Sequence, residues 1–334
     1  MDESRNESAA RAEAQTRANP SPGPAASRSA ASSPKIDQGL YDLFDRYVHG
    51  IIDRRGFLDG AAKFAVGGMT AAGLLDLLNP RFAQAQQIST DDKRIKIESI
   101  SYDSPQGSGK MRGYLARPSG GKGKLPAVLV IHENRGLNPH IEDVTRRFAV
   151  EGYLAFAPDA LTPLGGYPGD EDKARALFGT LDQAKAREDF VAAVGYLTKH
   201  PSSTGKVGVV GFCYGGAMAN TLATRVPTLA GAVAFYGTAP KEAAEIAKIK
   251  SPLVLHYAEN DERVNATMAD YEAALKANKV KYELHKYPGT QHGFHNDTTP
   301  RYDKAAATLA WQRTLAFFTR TLKPAGGAGK SAPG

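Results

Sequence analysis

The chain predicts an α/β architecture: a mostly parallel central sheet with helices on both faces and an antiparallel pair at its N-terminal edge. Three observations carry this. Short apolar runs rich in Val, Leu and Ile recur through residues 126–257, as expected of strands buried on both faces. Stretches with helical spacing lie between them, and that alternation is the mark of βαβ units. One apolar run leads without a break into Gly211-Phe212-Cys213-Tyr214-Gly215, a sharp strand-to-helix turn.

The elements follow in order. Residues 94–101 alternate apolar and polar side chains, which predicts a half-exposed strand. Residues 111–116 are its hairpin partner across the turn at 105–109. Residues 126–132 are almost continuously apolar and predict a buried parallel strand. Asn138-Pro139 offers an N-cap with proline at the first helical position, opening a helix to about residue 151. A strand is expected at 153–157 and one long helical stretch at 170–200. The strand 207–212 runs into Cys213, and a helix follows at 216–225. Short strands are expected at 229–236 and 253–257. Helices at 265–278 and 300–322 flank a strand at 281–287. There is no internal repeat.

The chain has 334 residues, with 42% hydrophobic and 23% charged side chains, as in soluble globular proteins. Residues 1–36 are rich in Ala, Ser, Pro, Arg and Glu and almost free of large apolar side chains. They cannot bury enough surface to offset their ordering entropy, so this segment is expected to be disordered. The tail at 324–334 is expected to be loose. The net charge of +7 arises entirely within residues 86–334, where the basic residues are dispersed. No dense Lys/Arg stripe and no nucleic-acid motif is present, so nucleic-acid binding is not expected.

Residues 37–85 read as an export region. Arg54-Arg55 precede a modestly apolar stretch from Ala61 to Leu78, then Asn79-Pro80 and the small-residue pattern Ala83-Gln84-Ala85. This is similar to a twin-arginine signal with cleavage after Ala85 and implies an export machinery as partner and a periplasmic or secreted destination. Gly67, Gly68, Gly73, Lys63 and Asp76 interrupt the apolar stretch, so no stable membrane anchor is expected. The competing reading is an amphipathic helix packed on the domain. Residues 86–323 then form a single α/β domain.

Cys213 is the only cysteine. It is either a small buried hydrophobe or a reactive thiol, and the flanking glycines favour the thiol. A thiol in such a turn needs a base, and the base needs an orienting carboxylate. In a parallel sheet these belong at the carboxyl ends of strands. Asp261 follows the strand 253–257, in competition with Glu259 and Glu262. His292 follows the strand 281–287 in a Gly-flanked loop, in competition with His295; His256 lies within a strand and reads as core. The order Cys213, Asp261, His292 is that of the α/β-hydrolases. Glu133 directly follows the strand 126–132 and is either an ordinary surface-loop charge or a group that approaches Cys213.

Glu133-Asn134-x-Gly136, Gly211-Phe212-Cys213-Tyr214-Gly215-Gly216, Asp261-x-x-Val264 and His292-x-Phe294 together resemble the dienelactone hydrolase family over residues 95–322. Tyr41–Leu58 resembles exported members of that family. The resemblance implies an α/β-hydrolase fold and a Cys213–His292–Asp261 triad that opens esters or lactones through an acyl-thioester. It implies that Glu133 takes the thiol proton and that the backbone N–H groups of Tyr214 and Asn134 form the oxyanion hole. Family members that cleave dienelactone, the substrate of carboxymethylenebutenolidase, hold its carboxylate with arginines. Here Asn296 and Asp172 stand at those positions and only Arg175 approaches one, so a different ester or lactone is expected.

Two other classes compete. A thiol redox protein would use Cys213 as a peroxidatic thiolate, but no second cysteine is present to resolve a sulfenic acid. A non-catalytic binder on a hydrolase fold has no reason to keep these residues together. No metal-ligand spacing and no dinucleotide fingerprint appears in the sequence, so no metal or cofactor is expected.

Overall fold

The computed structural model describes residues 36–120, 123–240 and 242–323. The segment expected to be disordered, up to residue 35, and the expected loose tail lie outside the described residues.

The strands are β1 (Ile95–Ser104), β2 (Gly109–Pro118), β3 (Leu125–Ile131), β4 (Leu154–Pro158), β5 (Ser203–Phe212), β6 (Gly231–Phe235), β7 (Leu253–Asn260) and β8 (Tyr282–Gln291). They form one sheet in the order β1-β2-β4-β3-β5-β6-β7-β8. β1 and β2 make an antiparallel hairpin, Ile95 opposite Pro118 and Ser104 opposite Gly109. β2 joins β4 antiparallel, and every pairing from β4 to β8 is parallel. The chain passes from β3 to β4 on one side and then crosses over β3 to β5 on the other. That reversal opens a crevice at the carboxyl ends of the strands.

Period-two alternation along the central strands divides the core into two layers. Ala127, Leu129 and Ile131 face one layer with α7 (Gln183–Lys199) and α8 (Tyr214–Arg225), through Phe190, Leu197, Met218 and Leu222. Val128 and Val130 face the other, with α5 (Pro139–Val150) and α12 (Lys304–Leu322), through Ile141, Phe148, Phe317 and Phe318. The α/β-hydrolase fold expected from the sequence is the fold observed.

Several boundaries move for local reasons. The stretch 170–200 is two helices, α6 (Glu171–Gly179) and α7, because the Asp182 carboxylate accepts from the N–H groups of Ala184 and Lys185 and starts a new helix. The helix expected at 265–278 is α11 (Met268–Ala277), and a short helix not expected from the sequence, α10 (Glu262–Asn265), precedes it. α12 starts at Lys304 rather than residue 300, where Asp303 caps it through the Ala306 N–H. The Asn138 cap of α5 forms as expected, accepting from Ile141 N–H at 3.2 Å.

Residues 37–85 are helical and packed on the domain. α1 (Gln38–Val48), α2 (Arg54–Ala61), α3 (Ala71–Leu78) and α4 (Phe82–Ala85) bury Phe44, Tyr47, Phe57, Leu75 and Leu78. Short side-chain caps from Asp37, Asp53 and Thr70 start the first three. Among the described residues no helix is long and apolar enough to cross a membrane. α9 (Ala243–Ile246) precedes β7.

Candidate active site

Cys213 stands where β5 ends and α8 begins, with φ 55° and ψ −111°. A side chain rarely adopts this left-handed region, and the neighbouring glycines show what holds it there. A Cβ on Gly211 would collide with the Gly215 backbone, and one on Gly215 with the Ile131 and His132 carbonyls. Only glycine lets helix and strand approach this closely. The Cys213 N–H donates to Phe235 O at 3.0 Å and its carbonyl accepts from Ala217 N–H at 3.0 Å. As first residue of α8, Tyr214 has an N–H with no intrahelical acceptor, aimed out of the helix N-terminus.

β7 and β8 bring the carboxylate and the imidazole together. Their register shifts between Ala258 and Asn260, and Asn260 then pairs with Gln291. The next residue of each strand is Asp261 and His292. His292 Nδ1 lies 2.6 Å from Asp261 Oδ2. Asp261 also caps α10, accepting from Val264 N–H at 3.3 Å, which explains the Asp-x-x-Val spacing. Burial would raise the Asp261 carboxyl, but the facing His292 holds it below its ordinary value. Burial would lower His292, but Asp261 and Cys213 hold it well above. His292 Nε2 has no hydrogen-bond partner among the described residues. For Cys213, burial pushes the thiol up, but the neighbouring His292, and after it His49, outweigh burial and leave the thiol at about 5.

The rivals have other work. His295 is buried and stacked on Phe212, with its pKa lowered to about 3 by burial and Arg147. His256 is buried between Thr314 Oγ1 and the Tyr287 hydroxyl. The Glu259 carboxylate accepts from Gly289 N–H at 2.8 Å.

Glu133 and Asn134 lie after β3, at the same end of the sheet. Glu133 lines one cavity with Cys213 and His292. Its carboxylate accepts from Asn296 Nδ2 at 3.0 Å, while Asn296 Oδ1 accepts from Thr298. Asn296 therefore orients Glu133. The Asn134 side chain donates to Val48 O at 2.7 Å. Arg175 meets the chain's own N-terminal segment: its guanidinium lies 4.2 Å from the Tyr47 ring centroid and donates to Tyr47 O at 3.4 Å. Asp172 accepts from the Tyr47 hydroxyl and from Arg54.

The residue the sequence reading missed is His49. It follows α1, and its Nε2 lies 3.3 Å from Cys213 Sγ. Its Nδ1 lies 2.8 Å from Asp45 O, and Arg263 NH2 lies 2.8 Å from its Nε2. The His49 and His292 rings meet edge-on at 5.1 Å. An Asp four residues before a His on an amphipathic helix was the available signal, but it sat inside the stretch read as an export region. Ligand atoms of His49, Cys213 and His292 lie within 4.8 Å of one another, the one metal-like cluster among the described residues. The Arg263 guanidinium already occupies the His49 nitrogen a metal would need.

A cysteine activated by a buried His–Asp pair at a helix N-terminus has the parts of an acyl-transfer site. The model of the dienelactone hydrolase family matches residues 111–322. The chain belongs to the dienelactone hydrolase family. Members of this family are hydrolases, and the curated relatives agree. A "Putative carboxymethylenebutenolidase" of Saccharolobus solfataricus is 34% identical over 261 residues, covering 68% of this chain and 99% of the relative. The "Putative hydrolase fragment YghX" of Escherichia coli K12 is 55% identical over 114 residues, covering 34% of this chain and 97% of the fragment. The crystal structure of a "Putative Dienelactone Hydrolase" from Klebsiella pneumoniae superposes with TM-score 0.60 at 29% identity, covering 67% of this chain and 99% of that one. A second model, YqhI-like, matches residues 30–64, which include α1 and α2.

Proposed function

We propose that this protein hydrolyses a carboxylic ester or lactone through an acyl-thioester on Cys213. The observation that carries the reading is the Asp261–His292 pair at 2.6 Å beside a thiol held at about 5 in a strained elbow. The Cys213 thiolate attacks the ester carbonyl, and negative charge develops on its oxygen. The N–H groups of Tyr214 and Asn134 are positioned in sequence to stabilise that oxyanion. His292, protonated and steadied by Asp261, gives its proton to the leaving alkoxide. It then removes a proton from the water that hydrolyses the thioester. Glu133, oriented by Asn296, takes the proton of any resting thiol. The similarity to a carboxymethylenebutenolidase-type relative supports an ester or lactone, and engagement of Asp172 and Arg175 by Tyr47 supports one other than dienelactone.

The proposal extends to export through Arg54-Arg55, with cleavage after Ala85. N-terminal sequencing of protein recovered from the periplasm or medium tests it; an uncleaved chain retained inside the cell would overturn it. For the chemistry, a panel of small esters and lactones with Cys213→Ala as blank is decisive. The alanine variant is expected to lose all turnover, and undiminished hydrolysis by it would overturn the reading.

A further inference from the structure

We propose that residues 38–61 are an intramolecular inhibitory cap that holds Cys213 shut in the uncleaved chain, and that hydrolysis requires this segment to lift off the domain or to be removed by the cleavage after Ala85. The segment sits across the mouth of the site on contacts from four parts of the domain. Asn134 and Arg135, after β3, both donate to Val48 O, at 2.7 and 3.3 Å. Asp172 and Arg175 on α6 hold the Tyr47 hydroxyl, ring and carbonyl. Arg263 on α10 donates to His49 and lies 3.6 Å from the Asp45 carboxylate. Arg301, between β8 and α12, lies 5.2 Å from the Phe44 ring centroid. The cap also has its own small core, in which Phe44, Tyr47 and Phe57 meet with centroids 5.4 to 6.2 Å apart.

Two magnitudes separate a cap from a wall of the substrate pocket. The cavity that touches Cys213, lined by Tyr47, His49, Glu133 and His292, has a volume of about 40 Å³. That is room for about one or two waters, against the roughly 300 Å³ or more of a typical ligand site. The His49 Nε2 to Cys213 Sγ distance of 3.3 Å is also the separation, about 3–3.5 Å, that an attacked carbonyl carbon needs. The imidazole stands in the place of the substrate. Both its ring nitrogens are engaged, by Asp45 O and Arg263, so the ring occupies the site without supplying a base to it. Gly50 at φ 73° lets the chain turn away immediately after the contact.

Thiol reactivity reads the cap directly, because Cys213 is the only cysteine; only the effect on turnover rests on the ester reading. The test compares three full chains: unaltered, Tyr47→Ala/Phe57→Ala, and Asp172→Ala. Each is labelled with iodoacetamide at neutral pH and assayed with p-nitrophenyl acetate, with circular dichroism to verify folding. Removing two buried aromatic anchors is expected to accelerate labelling at least about tenfold. Asp172→Ala leaves the sheet core untouched, and is expected to accelerate it several-fold by removing the Tyr47 and Arg54 bonds. Hydrolysis should rise with labelling. Should the double variant fail to fold, Asp172→Ala alone decides. Unchanged labelling in folded variants overturns the cap, and so does faster labelling with slower hydrolysis. Faster labelling with no hydrolysis in any chain leaves the cap standing and sinks the ester reading.

Discussion

A cysteine at φ 55° is held against its own backbone preference by glycines that admit no substitute. The reward is a sulfur at a helix N-terminus, beside an imidazole that Asp261 keeps charged. Burial alone would make this thiol a poor nucleophile; the neighbouring imidazoles reverse the sign and place it at about 5. The thiolate and His292 titrate as a coupled pair. For an uncharged ester, kcat/KM is expected to rise as pH passes the lowered value of the Cys213 thiol. It should then hold a plateau and fall only as pH exceeds the raised value of His292. Asp261→Asn removes the charge that raises His292, so the alkaline limb should move to lower pH. kcat should also drop by about 10³-fold or more, with KM changing far less. A pH–rate profile of both proteins checks this. The identities of Cys213, Asp261 and His292 were legible because each directly follows a recognisable strand. The work of Asn296 was not, since its bond to Glu133 joins residues 163 positions apart.

At the scale of elements, the site is a product of sheet register. The bulge between Ala258 and Asn260 lets β7 and β8 end in step, with Asp261 and His292 as neighbours. Strand and helix centres were readable from periodicity. Boundaries depended on single capping side chains: Asp182 divides one expected helix, and Asp303 delays another by several residues. The elbow is the least tolerant element. Gly215→Ala would press a methyl into the carbonyls that end β3, backbone atoms that cannot rotate away. A loss of about 3 kcal/mol is expected, seen as a fall in Tm of several degrees. An alanine variant as stable as the parent would contradict the packing described for this turn.

Across the whole molecule, one half-buried ionic group ties distant parts together. Asp297, after β8, lies 2.7 Å from Arg147 NH2 and 3.3 Å from His140 Nδ1 on α5, and accepts from Gln87 Nε2 at 2.6 Å. Burial would raise its carboxyl, but the His140 and Arg147 interactions hold it well below the usual range. A depressed carboxylate contributes stability above its unfolded pKa, near 4, and loses it as pH falls through the folded value. Asp297→Asn should therefore cost about 3 kcal/mol at pH 7. The difference should shrink steadily below about pH 4; denaturant melts across pH measure it. A constant difference would show that the loss is one of packing rather than charge.

The sequence by itself determined the fold class and that Cys213, Asp261 and His292 each follow a strand of the sheet. Those features depend on local patterns: apolar period, glycine spacing, and the residue that follows each strand. The resemblance to the family also implies that Asn296 and Asp172 stand where carboxylate-binding arginines are expected. What replaces their function only the tertiary structure decided. Asn296 turns to Glu133, Asp172 and Arg175 grip Tyr47, and His49 reaches Cys213 across 164 positions of chain. Residues 37–85 could be read locally as an address. Their packing on the mouth of the site is a contact between distant segments, and no local pattern in either segment encodes it.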